Sequence, residues 1–325
     1  MSPLRTSLGF VLVAITVSWA MPADVHGQAQ SAAAIGWTLS RTLDGQPDLQ
    51  GVWSFATITP LERPDAYGAR EFLTEEEVAA ANRTAAIGTD VRGATPQADV
   101  TGAYNAFWWD RGGSTGRTSL IVDPPNGKVP SLTPAALRRE AAADGLRRAR
   151  GPADSWEDRS FAERCIQYRP LPRLPTGYNN NYQILQTPGY VVILVEMIHD
   201  HRIIPLDGRP HVGAHVRQLN GDSRGRWEGD TLVVETTNFT DKVGFRGARE
   251  NLHLIERFTR IDRDTIDYQF TVSDETTWTR PWTGVLPLKR IEGPIYEYAC
   301  HEGNVGMEGI LSGARADDRA ARGSR

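Results

Sequence analysis

The sequence predicts a mainly β domain, an antiparallel β-barrel with a β-sandwich as the alternative and two or three helices on its outside. Three observations carry this. From Tyr178 onward, short runs rich in β-branched and aromatic residues recur between Pro, Gly and Asp punctuation. The connections between those runs are short enough for hairpins, which join antiparallel neighbours. Eight or more such strands in succession favour closure or doubling of the sheet, because either removes free edges.

The expected strands are Tyr182 to Gln186, Tyr190 to Met197, Arg202 to Leu206, Thr231 to Thr237, His253 to Ile261, Thr265 to Val272, Trp282 to Arg290 and Ile295 to Cys300. Hairpin turns are expected at Thr187-Pro188-Gly189, Trp227-Glu228-Gly229-Asp230, Asp262-Arg263-Asp264 and Glu292-Gly293-Pro294. In Thr265 to Val272 the apolar residues fall on even numbers, so that face points inward. Val191 to Val195 is continuously apolar and is expected to be covered on both sides.

Two helices precede the strand-rich half. Thr74 is placed to cap a helix that opens with Glu75, Glu76 and Glu77, whose charges complement the helix dipole. Thr133-Pro134 opens a second one over Ala135 to Arg148, with proline at the first helical position.

At the N-terminus, Arg5 precedes an apolar run from Leu8 to Met21 broken only by Thr16 and Ser18, the pattern of a secretory signal peptide with cleavage expected after Ala20, Gly27 or Ala29. The expected organisation is a signal peptide over 1–27, a flexible leader over 28–46, one domain over 47–312 and a disordered tail over 313–325. A periplasmic or secreted protein follows, with no membrane partner. The formal net charge of −4 provides no basic field, so nucleic acid is excluded as a partner. In an oxidising compartment the two cysteines, Cys165 and Cys300, are expected to pair as a disulfide.

Several stretches are familiar as a set. They are Pro47-Asp48-Leu49-Gln50-Gly51-Val52-Trp53, Arg117 to Pro125 (RTSLIVDPP), Ile203 to His211 (IIPLDGRPH) and Gly225 to Val234 (GRWEGDTLVV). Together they resemble a widespread family of signal-peptide-bearing bacterial proteins, over about Pro47 to Gly309. That resemblance carries no activity with it. Gly51-Val52-Trp53 also echoes the glycine-x-tryptophan opening of lipocalin-like barrels, which makes the expected barrel calycin-like. A likeness to calycin-type enzymes that cyclise or isomerise apolar metabolites is one of fold only.

The densest polar cluster is Glu196, His199, Asp200, His201 and Arg202, followed by His211 and His215, so four of the seven histidines lie close in sequence. An imidazole exchanges protons near neutral pH, and an adjacent carboxylate fixes its tautomer. His199 is therefore the first candidate proton carrier, with Glu196 or Asp200 to orient it and Arg202 to hold a carboxylate or oxyanion. The alternative is a strand-end network in which these groups satisfy one another.

His211, His253 and Glu256 are further catalytic candidates. Glu256 shares the inner strand face with Leu254 and must be paired or protonated, so it serves either as an acid or as a tie to an arginine.

No cofactor is expected. As an alternative, His199 and His201 on one strand face, with His211 or His215, offer three imidazoles to a divalent metal. Their spacing matches neither a cupin pattern nor an HExxH helix.

A pocket wall is expected from the aromatic stretch with Tyr104, Trp108 and Trp109 and from the polar run Tyr178, Asn180, Asn181 and Tyr182. Rings bury apolar or aromatic ligands, and amides fix oxygen atoms. In the alternative, a tryptophan plugs one end of the barrel and the asparagines make a turn.

Gly-x-Ser-x-Gly, GxGxxG after a strand, and the phosphate-binding GxxxxGK[ST] loop are all absent. The function expected is thus a cofactor-independent acid–base enzyme, of cyclase, isomerase, decarboxylase or lyase type, acting on a small, partly aromatic metabolite. Its alternatives are a lipocalin-like or carbohydrate-binding protein, or a His-ligated metalloprotein.

Overall fold

Alternation of buried and half-exposed side chains organises the second half of the chain. In the computed structural model, which describes residues 37–86, 109–242 and 244–323, one eleven-stranded sheet is held by antiparallel ladders. The strands are β1 (Gly51–Ser54), β2 (Ile121–Asp123), β3 (Asn181–Thr187), β4 (Tyr190–Val195), β5 (His201–Pro205), β6 (Asp222–Glu228), β7 (Thr231–Thr237), β8 (His253–Arg260), β9 (Thr265–Ser273), β10 (Trp282–Val285) and β11 (Leu288–Ile291). The signal peptide and most of the leader expected at the N-terminus, with Tyr104 and Trp108, lie outside the described residues.

The sheet order is β5-β4-β3-β1-β11-β9-β8-β7-β6, with β10 also on β9 and β2 on β10. Two hairpin runs, β3 to β5 and β6 to β9, are joined through β1, which lies between β3 and β11. Three of the four expected turns join hairpin strands: Thr187 faces Tyr190 across Pro188-Gly189, Glu228 faces Thr231 across Gly229-Asp230, and β8 pairs with β9 around Asp262-Arg263-Asp264, whereas Glu292-Gly293-Pro294 has no strand after it to pair.

On β9 the inward set is Ile266, Tyr268, Phe270 and Val272, all fully buried, as the even-numbered pattern predicts. Their rings meet Phe258 and Trp282: Phe258 and Tyr268 are 4.7 Å apart, and Phe270 and Trp282 meet edge-on at 5.9 Å.

The path ends at β5 and β6, and no ladder joins those two strands, so the sheet is open and not a closed barrel. The end strands meet by side-chain packing instead. At Gly225 on β6 a Cβ would fall 2.5 Å from Leu206 Cδ2 and 2.9 Å from Ile204 Cγ2, and glycine allows the approach.

Inside the curl, Arg202 of β5 meets Glu256 of β8 through two hydrogen bonds of 2.5 and 3.1 Å. The Tyr268 hydroxyl donates to the same carboxylate at 2.9 Å. Arg202 is 6% exposed and Glu256 1%. Burial opposes the guanidinium charge, but the attraction and hydrogen bonds of Glu256 outweigh it and raise the Arg202 pKa. Burial raises the Tyr268 and Tyr182 phenols too, so both stay neutral.

Among the described residues three helices lie outside. The first, α1 (Glu75–Ala86), opens on a reciprocal cap in which Glu77 N donates to Thr74 Oγ1 and Thr74 N to the Glu77 carboxylate. Thr133 and Pro134 begin α2 (Pro134–Ala149), as expected. The third, α3 (Val305–Gly323), covers much of the stretch expected to be disordered, and its Arg315 caps the carbonyls of Ala153 and Asp154.

Cys165 and Cys300 form the expected disulfide, with Cα atoms 5.7 Å apart. No helix among the described residues is long and apolar enough to cross a membrane.

Four strand expectations differ. The run Trp282 to Arg290 is two strands, because Pro287 lacks an N–H and the ladder to β9 restarts beyond it. Ile295 to Cys300 is not a strand: none of its side chains is buried, and β11 already has β1 and β9 on its two sides. Strand β6 appears where the polar run Asp222 to Glu228 hides the pattern, and only one face of β4 is fully buried.

Two outcomes follow. Arg202→Met leaves Glu256 buried without a counter-charge and should lower unfolding free energy by about 3–5 kcal/mol in urea titrations. Adding Glu256→Leu to that variant should restore much of the loss. Replacing both cysteines by serine should cost about 4–5 kcal/mol by lengthening the free loops of the unfolded chain, read as a lower thermal midpoint.

Candidate functional site

The end of the sheet where β1 stops, β3 starts and β4 turns into β5 gathers most of the polar residues singled out in the sequence. The turn is Glu196 to Asp200, closed by Val195 N donating to the Asp200 carbonyl at 2.7 Å. Met197 to His199 form a single 3-10 turn, so His199 and His201 do not share an extended strand face as expected. Ile198 and His199 have φ of 59° and 42°, a left-handed conformation that costs a β-branched residue on the order of 1–3 kcal/mol. Strain of this kind is concentrated at functional turns.

Within the turn Glu196 is buried, and the Asn181 amide donates to its Oε2 at 2.6 Å. This contact joins the asparagine run to the Glu196 cluster, which the sequence analysis did not anticipate. His199 is exposed and points away from the packed interior. Asp200 is bonded to the buried Arg173, a partner that the sequence reading missed because it lies 27 residues upstream.

Asn180 is fully buried with its amide saturated. Its Oδ1 accepts from Thr176 N at 2.7 Å and Thr176 Oγ1 at 3.1 Å, and its Nδ2 donates to the carbonyls of Thr176 at 3.0 Å and Asp110 at 3.1 Å. Asp110 N in turn donates to Gly177 O at 2.7 Å. The indole of Trp109 lies against Gly177, where a Cβ would fall 2.5 Å from Cζ3. Thus the polar run and the end of the aromatic stretch do meet, with Asn180 as the clamp between them.

Beside this clamp is a crevice of about 270 Å³, lined by Asn82, Trp109, Asp110, Arg111 and Gly112. The Arg111 guanidinium stands 4.5 Å over the Trp109 ring. Burial pushes the Asp110 carboxyl above its ordinary pKa, and hydrogen bonds from Asn180 and Gly112 offset only part of that. Sequence reading passed over Asp110 and Arg111, although they close the aromatic run just before Gly112-Gly113.

The remaining candidates sit elsewhere. Arg202, Glu256 and Tyr182 are sealed in the core, where the two charges satisfy each other and present no face to a substrate. The tie between Glu256 and an arginine is the reading that the structure bears out. His211 Nδ1 lies 2.9 Å from Asp222, whose carboxylate also accepts from Arg224 at 2.6 Å. His253 Nε2 lies 2.7 Å from Glu235. Tyr178 is half-buried, and His201 and His215 are exposed. Among the described residues no group of three or more His, Cys, Asp or Glu side chains is arranged to hold a metal ion.

No protein-family model, curated protein or solved structure matches this chain.

Asn180→Ala removes four hydrogen bonds from a buried site and should cost about 2–4 kcal/mol. The measurement is chemical denaturation. Faster amide exchange at Asp110, whose N–H bonds Gly177, would show the clamp opening.

Proposed function

We propose that the protein is an exported, cofactor-independent enzyme that moves protons on a small, partly aromatic metabolite bound in the Trp109–Gly112 crevice. The observation that carries it is Asp110: a half-buried carboxyl with a raised pKa, set beside an indole and a guanidinium in a concave site. A carboxyl made more basic by desolvation is a better proton carrier near neutral pH.

In this reading Trp109 supplies a flat apolar wall for a ring, Arg111 holds an oxyanion or carboxylate of the substrate, and Asp110 gives or takes the proton. Asn82 adds an amide to fix substrate oxygen, and Asn180 positions Asp110 through its backbone. Cyclisation, isomerisation, decarboxylation and elimination all fit such a set. His199, on its strained and exposed turn at the same sheet end, is kept as a second proton carrier.

Export is supported by the leader pattern and by the Cys165–Cys300 disulfide, which persists in an oxidising compartment. A binding protein without turnover is the competing reading, favoured by the indole–guanidinium stack at the crevice.

The test combines ligand identification with one substitution. Mass spectrometry of small molecules retained by the natively purified protein should reveal the substrate class. With that substrate, Asp110→Asn should lower kcat by roughly 10²- to 10⁴-fold. Unchanged turnover would remove Asp110 from the mechanism, and tight binding without turnover in the native protein would favour the carrier.

The pH dependence has a definite sign. An acid with a raised folded pKa binds more protons when folded, so stability falls as pH climbs from the ordinary value of 3.8 through the raised one. Asp110→Asn lacks that slope and should be the more stable form at neutral pH, measured by thermal unfolding across pH.

A further inference from the structure

On the outward face of the sheet, three neighbouring strands bring a serine, a histidine and a glutamate into line. His253 of β8 pairs directly with Ser273 of β9, and Glu235 of β7 lies one diagonal step away on the other side. His253 Nε2 is 2.7 Å from Glu235 Oε1, and Ser273 Oγ is 3.5 Å from His253 Nδ1. The carboxylate accepts only, so Nε2 carries the proton and Nδ1 presents its lone pair to the serine hydroxyl. His253 and Glu235 are 37% and 38% exposed, so a ligand can reach them.

We propose that Ser273, His253 and Glu235 form a second, nucleophilic site that accepts acyl groups from activated esters. The roles follow from hydrogen-bond chemistry. Ser273 Oγ attacks the ester carbonyl as its proton passes to His253 Nδ1, forming the O–C bond. The bond to the leaving oxygen then breaks, and the His253 imidazolium gives its proton to that oxygen as the alcohol or phenol departs. Glu235 is a positioning residue, holding the imidazole in the required tautomer and balancing the imidazolium that forms. Water then attacks the acyl carbon as His253 takes its proton, the bond from that carbon to Ser273 Oγ breaks, His253 returns the proton to Oγ, and a free acid leaves.

The surroundings set the class of donor. His253 and Ser273 are the terminal pair of the β8–β9 ladder, and in the loop after Ser273 the N–H groups of Thr276, Thr277 and Trp278, which could otherwise bind an oxyanion, already bond Asp274. On that face the Thr271 and Thr283 hydroxyls bond each other at 2.9 Å and have one proton between them to offer. With so little oxyanion support, turnover is confined to esters with good leaving groups and excludes amides. Three residues fixed by strand register keep their geometry without a pocket to hold them.

The experiment uses the purified full chain with p-nitrophenyl acetate and, separately, a fluorophosphonate probe. The expected results are one equivalent of p-nitrophenolate per protein in a rapid phase and a covalent adduct that peptide mapping places on Ser273. Ser273→Ala and His253→Gln should each lower the rapid phase at least tenfold with unchanged circular dichroism. Glu235→Asp should retain more of the rate than Glu235→Gln, a difference that a merely structural carboxylate would not produce.

An adduct elsewhere, no adduct, or equal rates in Ser273→Ala and the native protein would overturn the proposal. Mapping of the native protein decides the matter even if a variant fails to fold. Since Asp110 and the crevice play no part in this chemistry, failure here leaves the proton-transfer reading standing, and failure there leaves this one standing.

Discussion

A charge inside a hydrophobic core must be met by an opposite charge, and in this fold that requirement ties the two ends of the sheet together. Arg202 arrives from β5 and Glu256 from β8, strands far apart along the hydrogen-bonded path. Because no ladder joins β5 to β6, the curl is held by this ion pair, by the Tyr268 hydroxyl, and by the apolar contact that Gly225 permits. Breaking the pair from one side leaves a bare charge, so the arrangement is specific as well as cohesive.

The same requirement moves chemistry out of the middle. With Trp53, Phe258, Tyr268 and Phe270 packed inward around the ion pair, the interior is core. Polar groups that solvent reaches lie at one end of the strands, where loops position Asp110 and His199, and on the outer face, where register positions Glu235, His253 and Ser273. A scaffold whose strands cannot shift without breaking a buried ion pair suits both placements.

Much of the fold was legible because its physics is local. Alternation on Thr265 to Val272, the Pro188-Gly189 and Gly229-Asp230 turns, the Thr74 and Thr133 caps and the cysteine pair each follow from neighbouring residues. What escaped was non-local or disguised. Strand β6 is polar in sequence and is a strand because β7 pairs with it. Closure was expected from strand number, yet whether β5 bonds β6 depends on curl and side-chain bulk.

At the site, the Glu256 tie and the bonding of Asn180 to the segment that follows the aromatic stretch could be anticipated, since both involve residues with a strong need for partners. Asp110 could not, because its basicity comes from burial, which no residue spacing records.

The position of β1 has a temporal consequence. Among the described strands it is the first made, and one of its two partners, β11, is the last, some 235 residues later. Strand pairs that distant in sequence form slowly, since the chain between them must be ordered or looped first. The central seam of the sheet therefore stays open until nearly the whole polypeptide has emerged. The run β5-β4-β3-β1 and the run β9-β8-β7-β6 can each form early, and their joining waits for β11.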